Sequence, residues 1–523
     1  MAISWELMHS DCAMAACTRG HTPKHFGGPS STQDMARREI LKSARLDLRS
    51  SISMINEKAP VGSLPADVLI LIFEAANGVK NKIYNPWVFP IGREKPLPMV
   101  VSQVSRFWRD VAIHSPLLWT LIDISPPWSL NIIRLFLKRS KSCPIDLRLQ
   151  TPSVVLGMVM SPATVNNTAS RLCEIIEPHI PRCRSISIRG ELERTSPMLY
   201  TVLNTIRASR VPILEKCFLH IEGMSEFDDD DVQALPLFHH GAPALQSIRL
   251  MGPKMLSRHL PHTQVTTLHL GAGETRSMSY QEFSSTLKSC PLLHTLAVYD
   301  DLVIGFWPDN AVLDLPYLRS LEMYGTITTV SDILSTISAP QLKDLVIAPV
   351  VMDDLANFHS QQVSAPDVKF PAVKSLTLSP ASTYSFGIMG LASDCFPAVE
   401  QLTIPNIHED SFIDAFTETS TAATLWPHLT ALALRNIDAS NAASIPEVVS
   451  FRRRIGHPLQ TLYLDYDSLT RIALMLPQLE NNIDVVELDI WSIQRRDDPS
   501  FDIPHFVGND FDFGAIPIQT TYY

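Results

Sequence analysis

Two closely similar phrases, FPAVKSLTL (370–378) and FPAVEQLTI (396–404), carry the pattern that decides the fold. Each has the form P-x-L-x-x-L-x-L, in which L stands for an apolar residue. The phrase recurs at intervals of about 23 to 31 residues. Close copies are CPLLHTLAV (290–298), LPYLRSLEM (315–323), APQLKDLVI (339–347) and WPHLTALAL (426–434), and looser copies lie at 181–188, 211–221, 242–250, 265–270, 457–464 and 483–490. A period of this length indicates a stack of structural repeats.

Each phrase predicts a short strand, because its alternating apolar residues place one face in a core. Apolar residues at helical spacing separate the phrases, as in Leu172/Ile175/Ile176/Ile180, Ile333/Leu334/Ile337, Phe412/Ile413/Phe416 and Leu469/Ile472/Leu476. One strand and one helix per repeat predict a curved, leucine-rich-repeat-like α/β solenoid over residues 121–496. A doubly wound α/β domain also alternates strands with helices, but its strands are longer apolar runs without a repeated proline phrase.

Composition limits the class of protein. The chain has 523 residues, of which 45% are hydrophobic and 19% charged, which indicates a folded protein with more than one folding unit or an elongated array. Its formal charge of −11 argues against a general nucleic-acid binder. The eight cysteines include no CxxC pair, so we interpret them as reduced packing residues. Without a signal peptide or an apolar run of roughly 18 residues, the sequence predicts an intracellular protein, cytoplasmic or nuclear, with no membrane partner.

The N-terminal part lacks the repeated phrase and predicts helices instead. Residues 1–33 have no periodicity and predict a disordered tail, whereas 34–60 fit an amphipathic helix. SLPADVLILIFEAAN (63–77) predicts a helix with Ser63 as its cap and Pro65 in its first turn. An insert at 78–98 separates it from a second predicted helix, VVSQVSRFWRDVAIHS (100–115). That helix would place five residues on one side, Val101, Val104, Trp108, Val111 and Ala112.

Three blocks in this region resemble the F-box, a small all-α module. They are LPADVLILIF (64–73), VSQVSRFWR (101–109) and SPLLW (115–119), which occur in the order of the family pattern LPxEhLxxIF, VSRxWR and spxLW, where h is apolar. The resembling module spans residues 61–120, or about a tenth of the chain. Asp67 stands where the family usually has glutamate, Ser105 where it often has cysteine, and the insert at 78–98 separates the first two blocks.

The resemblance implies a function in ubiquitin transfer. F-box proteins bind a Skp-type adaptor and through it a cullin scaffold, forming an SCF-type ubiquitin ligase, and leucine-rich repeats after the F-box commonly hold the substrate. This chain would then be a non-catalytic substrate receptor with an unidentified protein target. The resemblance implies adaptor-facing or adaptor-supporting roles for eight residues, Leu64, Pro65, Leu69, Ile72, Phe73, Val104, Trp108 and Trp119.

Two alternatives stay open at this point. Some of the eight residues can form the core of the helical module, whereas Leu64 and Pro65, which begin a helix at an exposed edge, favour a contact. The chain can also have a function outside ubiquitin transfer, as a leucine-rich-repeat scaffold whose helical module only caps the repeats or as an enzyme of unrecognised type.

The predicted substrate-binding face consists of strand residues that alternate with the core leucines. Six such positions are Thr295, Ser320, Asp344, Ser375, Gln401 and Ala431. Their mixed small and polar character sets no substrate class. Residues 497–523 are predicted to be a cap on the last repeat or a free tail.

No catalytic, cofactor or metal site is predicted. The loop 270–275 has glycines but lacks the lysine of a phosphate-binding loop, and Cys12, Cys17 and His21 lack a fourth zinc ligand. The acidic run 226–231 lacks the ligand pattern of a calcium loop, so we interpret it as solvated. Arg452–Arg454 is interpreted as a solvated helix face, with a contact to an acidic substrate segment as the alternative.

Overall fold

A computed structural model describes most of the chain beyond residue 63. The described residues are 64–83, 95–125, 129–151, 162–191, 197–222, 238–252, 263–272, 277–299, 301–308, 311–324, 330–363, 369–380, 385–405, 415–416, 425–435, 437 and 439–488. The predictions for 1–33, 34–60, 226–231 and 497–523, and those for Ser63, Cys12, Cys17 and His21, lie outside these residues.

Helices and strands alternate along most of the described chain. The helices are α1 Ala66–Ile83, α2 Leu97–Val101, α3 Arg106–His114, α4 Leu130–Arg139, α5 Pro162–Ile176, α6 Pro197–Ala208, α7 Tyr280–Lys288, α8 Val330–Thr336, α9 Met352–Val363, α10 Ser385–Cys395, α11 Ala439–Arg454, α12 Tyr466–Arg471 and α13 Leu476–Glu480. The strands are β1 Leu121–Ile124, β2 Ile145–Gln150, β3 Cys183–Glu191, β4 Lys216–Glu222, β5 Ser247–Met251, β6 Thr267–Gly271, β7 Thr295–Tyr299, β8 Leu313–Asp314, β9 Ser320–Tyr324, β10 Ile337–Ser338, β11 Asp344–Val350, β12 Ser375–Pro380, β13 Gln401–Ile404, β14 Ala431–Leu434, β15 Thr461–Leu464 and β16 Asp484–Glu487. Two 3-10 segments, Pro116–Trp119 and Glu177–Arg182, precede β1 and β3.

Fourteen of these strands form one parallel sheet. Their order is β1-β2-β3-β4-β5-β6-β7-β9-β11-β12-β13-β14-β15-β16, and β8 and β10 form a separate parallel pair. The chain is therefore a mixed α/β protein, as predicted. The strand order follows the chain throughout, whereas a doubly wound sheet reverses its order at a switch point.

The strand register aligns the apolar positions of the repeated phrase. Leu296 of β7 pairs with Leu321 of β9, which pairs with Leu345 of β11, and the row continues through Leu376 and Leu402. All five side chains are buried in one core that also contains the apolar faces of the helices. Because neighbouring strands lie about 4.8 Å apart, these leucines form a continuous ladder under the helices.

The proline of the phrase begins the turn that leads into each strand. The carbonyl oxygen of the residue before the proline accepts a hydrogen bond from the N–H of the residue two places after the proline. Val373 N donates to Phe370 O in this way at 3.3 Å, and Leu429 N donates to Trp426 O at 3.0 Å. Proline fits the second position of such a β-turn, because its ring fixes φ at the required value. The phrase therefore specifies a turn, a buried apolar residue and a strand in that order.

The helical region differs from its prediction in two places. The single helix predicted over 100–115 is two helices, because the turn at Ser102–Ser105 ends α2 and the Ser105 side chain caps α3. The predicted insert at 78–98 is shorter at both ends, since α1 continues to Ile83 and α2 begins at Leu97. Val104 consequently lies in the turn and is exposed rather than on the buried side of a helix.

The interpretation of Arg452–Arg454 as a solvated face is wrong for Arg452. This side chain is fully buried at the end of α11. It donates hydrogen bonds to the carbonyl oxygens of Leu425 (2.7 Å), Trp426 (3.0 Å) and Leu429 (3.3 Å) in the turn before β14. The guanidinium thus joins two consecutive repeats and is not available to a substrate.

No helix in the described part of the chain combines the length and the apolar character that a membrane crossing needs.

Candidate functional site

The first candidate site is the helical segment 64–119, and its core begins on α1. Leu69 and Phe73, one turn apart, are buried. Val68, Leu71 and Ile72 are exposed on the same helix, and Leu71 is 66% exposed. Six apolar residues in succession, 68–73, cannot all lie on one face of a helix, because successive residues are about 100° apart. The helix therefore buries one apolar face and presents another to solvent.

Trp108 connects the first helix to the third. Its ring lies 4.9 Å from that of Phe73, measured between centroids, and it is half-buried. The position of Trp108 is set by the helix cap, because its backbone N–H donates to the Ser105 hydroxyl at 3.1 Å. A serine at this position can cap the helix with its hydroxyl, which is a role that small polar side chains fill well.

Trp119 joins the helical segment to the first strand and helix of the sheet region. It is fully buried and donates a hydrogen bond from Nε1 to the carbonyl oxygen of Ala112 at 2.8 Å. Phe136 of α4 packs edge-on against its ring at 4.9 Å, and the Arg139 guanidinium lies 4.3 Å from the ring centroid. Burial lowers the pKa of Arg139 from its ordinary value.

The eight predicted adaptor residues fall into three groups by burial. Leu69, Phe73 and Trp119 are buried within the chain, so they can only support a surface and cannot contact a partner directly. Pro65, Ile72 and Val104 are exposed, and Leu64 and Trp108 are half-buried. The alternative that some of the eight form the core of the segment is therefore correct for three of them.

Several exposed apolar residues of this segment were not predicted. They are Val68, Leu71, Val100, Phe107 and Leu117, and Leu117 is 52% exposed. They lie on α1, α2, α3 and the 3-10 segment, which contact one another. Residues 68–73 contain more apolar residues than one helical face can hold, and this sequence signal could have identified Val68 and Leu71 as exposed. We call Val68, Leu71, Ile72, Val104, Phe107 and Leu117 the exposed apolar set.

The second candidate site is the face of the sheet opposite to the helices. The six predicted outward residues occupy one register row, since Thr295 pairs with Ser320, Ser320 with Asp344 and Asp344 with Ser375, and the row ends with Gln401 and Ala431. Asp344 is exposed and the other five are half-buried. Their predicted outward position is confirmed.

Two to four residues beyond this register row, on β5, β6, β7 and β9, the same face holds buried polar side chains. Arg249 of β5 lies with its Nη2 2.9 Å from His269 Nδ1 and 3.2 Å from the Tyr299 hydroxyl, and all three side chains are buried. The ring of Tyr299 stacks on that of Tyr324 at 5.3 Å, and the Tyr324 hydroxyl donates to Glu322 at 3.2 Å. We call these five residues the buried polar cluster.

Burial controls the ionisation of this cluster. It lowers the pKa of His269 well below its usual value, and the charge of Arg249 lowers it further. Burial also raises the pKa of Glu322, although hydrogen bonds from Tyr324 and Ser320 act in the opposite direction. The histidine is therefore neutral at physiological pH and can accept a hydrogen bond from the guanidinium. Sequence reasoning missed the cluster, because it considered the outward residues of the strands one by one and not as rows across the sheet.

Other candidates receive a structural explanation. A Cβ at Gly271 would meet the end of the Met251 side chain and approach Tyr299, so this glycine allows side chains of β5 and β7 to lie close to β6. The six described cysteines are free, and five of them are buried, as predicted for packing residues. Within the described ranges, no three His, Cys, Asp or Glu side chains are grouped so that they could hold a metal ion. His239 and His240 are exposed neighbours with ring centroids 5.4 Å apart.

The sequence matches no model of a known protein family, and no curated protein is significantly similar to it. The interpretation of both candidate sites therefore depends on their own residues and contacts.

Proposed function

We propose that this protein is the substrate receptor of an SCF-type ubiquitin ligase, with the helical segment as an F-box that binds a Skp-type adaptor. The sheet region would be a leucine-rich-repeat-like solenoid that holds a protein target. The transfer chemistry would occur on other subunits, and this chain would act by bringing the target close to them.

The observation that carries the proposal is the exposed apolar set on a segment with its own packed core. A short helical unit buries little surface alone, and its apolar residues gain free energy when a partner covers them. Leu69, Phe73 and Trp119 hold the helices together from inside, while Leu71 and Leu117 remain exposed. Several exposed apolar side chains on one short, packed segment are typical of an interaction site.

The alternative function is a repeat scaffold in which the helical segment only caps the sheet. The packing of Trp119 against Phe136 favours this alternative, because it joins the segment firmly to the first strand and helix. A terminal cap, however, needs a polar outer face to keep the end of the array soluble. The exposed side chains of Leu71, Phe107 and Leu117 do not meet that need, so they favour the adaptor-binding function.

Co-purification with a Skp-type adaptor tests the proposal. Leu71→Asp places a charge in the exposed apolar set without touching the core, and should weaken adaptor binding by roughly tenfold or more. Phe306→Asp is the matched control, because Phe306 is 77% exposed but lies in the sheet region. The unchanged protein and the control should retain the adaptor.

A second variant, Leu64→Ala with Pro65→Ala, tests the start of α1. Circular dichroism should show that the Leu71→Asp protein and the Leu64→Ala, Pro65→Ala protein both remain folded. If the unchanged protein does not retain the adaptor, or if the Leu71 variant retains it as well as the Phe306 control does, the scaffold alternative replaces the ligase function.

A further inference from the structure

A row of basic side chains crosses the sheet at the amino-terminal ends of its central strands. Backbone N–H groups of Arg319, Lys343 and Lys374 donate to the carbonyl oxygens of His294 (2.8 Å), Arg319 (2.8 Å) and Lys343 (2.9 Å), respectively. These hydrogen bonds place the residues at equivalent positions of neighbouring repeats, about 4.8 Å apart. We call Arg319, Lys343 and Lys374 the basic row.

The basic row is exposed and only partly neutralised. All three residues are exposed, and Lys374 forms an ion pair with Glu400 at 2.7 Å. Neither Arg319 nor Lys343 forms an ion pair within the described part of the chain. Asp344 follows Lys343 directly and is the one acid next to the row along β11.

The same position carries a different charge pattern elsewhere in the sheet. Arg184, at the start of β3, pairs with Asp146 at 2.7 Å, and the next residue in the row is the acidic Glu215 before β4. Like charges at directly opposed positions of a sheet reduce its stability, so three adjacent cations are unfavourable for folding alone. Burial lowers the pKa of the neighbouring His294 imidazole, and the charge of Arg319 lowers it further.

We propose that the basic row binds an extended, carboxylate-rich segment of the target protein. An arginine guanidinium can hold a carboxylate through two hydrogen bonds, and lysines add mobile point charges. Alternate side chains of an extended peptide are about 7 Å apart, a distance that the long stems of these side chains can match. In a chain with a net charge of −11, this local reversal of sign would attract an acidic segment selectively.

An acidic peptide fits the row better than a nucleic acid. Nucleic-acid affinity comes from many phosphate contacts along a broad basic surface, whereas this row has three cations. Asp344 and Glu400 border the row, so the basic surface is short and does not extend along the sheet. The basic row thus adds a class of target segment to the proposed function. Peptide binding itself does not depend on that function, and only the role of the bound segment as a substrate rests on it.

Fluorescence anisotropy with the full-length chain and a labelled octa-glutamate peptide tests the inference without any adaptor. The double variant Arg319→Ala with Lys343→Ala should bind the peptide about tenfold more weakly at low salt. Arg134→Ala with Lys138→Ala is the matched control, because these two exposed cations lie one turn apart on α4. The control should bind within about twofold of the unchanged protein.

Charge reversal supplies a readout that misfolding cannot imitate. Arg319→Glu with Lys343→Glu should lose the octa-glutamate peptide and gain affinity for octa-lysine. The inference is overturned if the unchanged chain does not bind octa-glutamate, if the α4 control loses as much affinity as the row variant, or if oligothymidylate of equal charge binds more tightly than the peptide. Loss of peptide binding with intact adaptor co-purification separates this inference from the proposed function.

Discussion

Arginines that reach from one repeat to the main chain of the next are a recurring contact of this protein, and Arg452 is the buried one of the three described here. Arg182 donates to the carbonyl oxygen of Cys143 at 2.6 Å and to that of Leu137 at 3.2 Å, and Arg452 binds three carbonyls of the preceding turn. Arg471 donates in the same way to the carbonyl oxygen of Ile437. These guanidinium groups donate to carbonyl oxygens at helix ends and in turns, where acceptors are left over from the regular hydrogen bonds, and buried carbonyls without partners are costly.

The loss of one such arginine should therefore destabilise the fold. Burial lowers the pKa of Arg452 to about 10, so its side chain stays protonated at neutral pH and keeps its hydrogen bonds. Arg452→Met fills a similar volume but removes the hydrogen bonds that the guanidinium donates to three carbonyl oxygens. We expect the free energy of unfolding, measured by urea denaturation, to fall by roughly 3 kcal/mol. Arg453→Met is the control, since Arg453 is exposed, and an equal loss in both variants would contradict this role of Arg452.

At the scale of single elements, the repeated phrase predicts the strands well because local and tertiary requirements coincide. In APQLKDLVI, the proline forms the turn, Leu342 is buried behind it and Leu345 enters the core ladder. The helices of the N-terminal segment were less predictable. Their apolar spacing continues through 100–115, and the break there depends on hydrogen bonds of Ser102 and Ser105 that periodicity does not reveal.

The helical candidate site was likewise predictable only in part. The apolar character of α1 predicts that the helix has a buried face, but not which of Val68–Phe73 lies inside. That choice depends on Trp108, which packs on Phe73 only when the turn at Ser105 redirects the chain. The burial of Arg452 and of the polar cluster around His269 depends on several repeats at once, so no local pattern could predict it.

The cap of α3 offers a test at this scale. Ser105→Ala removes the acceptor of the Trp108 N–H and should reduce the free energy of unfolding by about 1 kcal/mol. Ser105→Asp keeps an acceptor at the helix start and should retain most of the stability. Thermal unfolding followed by Trp fluorescence compares the two. An aspartate variant as unstable as the alanine variant would show that the hydroxyl acts through packing and not as a cap.

At the scale of the whole molecule, the large sheet runs from β1 to β16, and the hydrophobic core beneath it also includes the helical segment. One hydrophobic cluster includes residues from Leu69 to Ile483, and Trp119 crosses the predicted domain boundary at 120/121 by packing on Phe136. Each strand of the large sheet nevertheless pairs only with its neighbours along the order. Stabilising contacts are therefore made mainly between adjacent repeats. The unfolding of one repeat affects a distant repeat only through the repeats that lie between them.

This nearest-neighbour arrangement predicts that damage at one end stays local. Trp426 is fully buried before β14, its N–H donates to the Ser393 hydroxyl at 2.9 Å, and its Nε1 donates to the Phe396 carbonyl oxygen at 3.1 Å. Trp426→Ala should cost roughly 3–5 kcal/mol. Because the strands far from β14 share no contacts with Trp426, hydrogen exchange should accelerate in β13–β16 and remain unchanged in β1–β4. A uniform acceleration along the whole sheet would instead indicate a single cooperative unit, in which the helical segment could not stay folded when the opposite end opens.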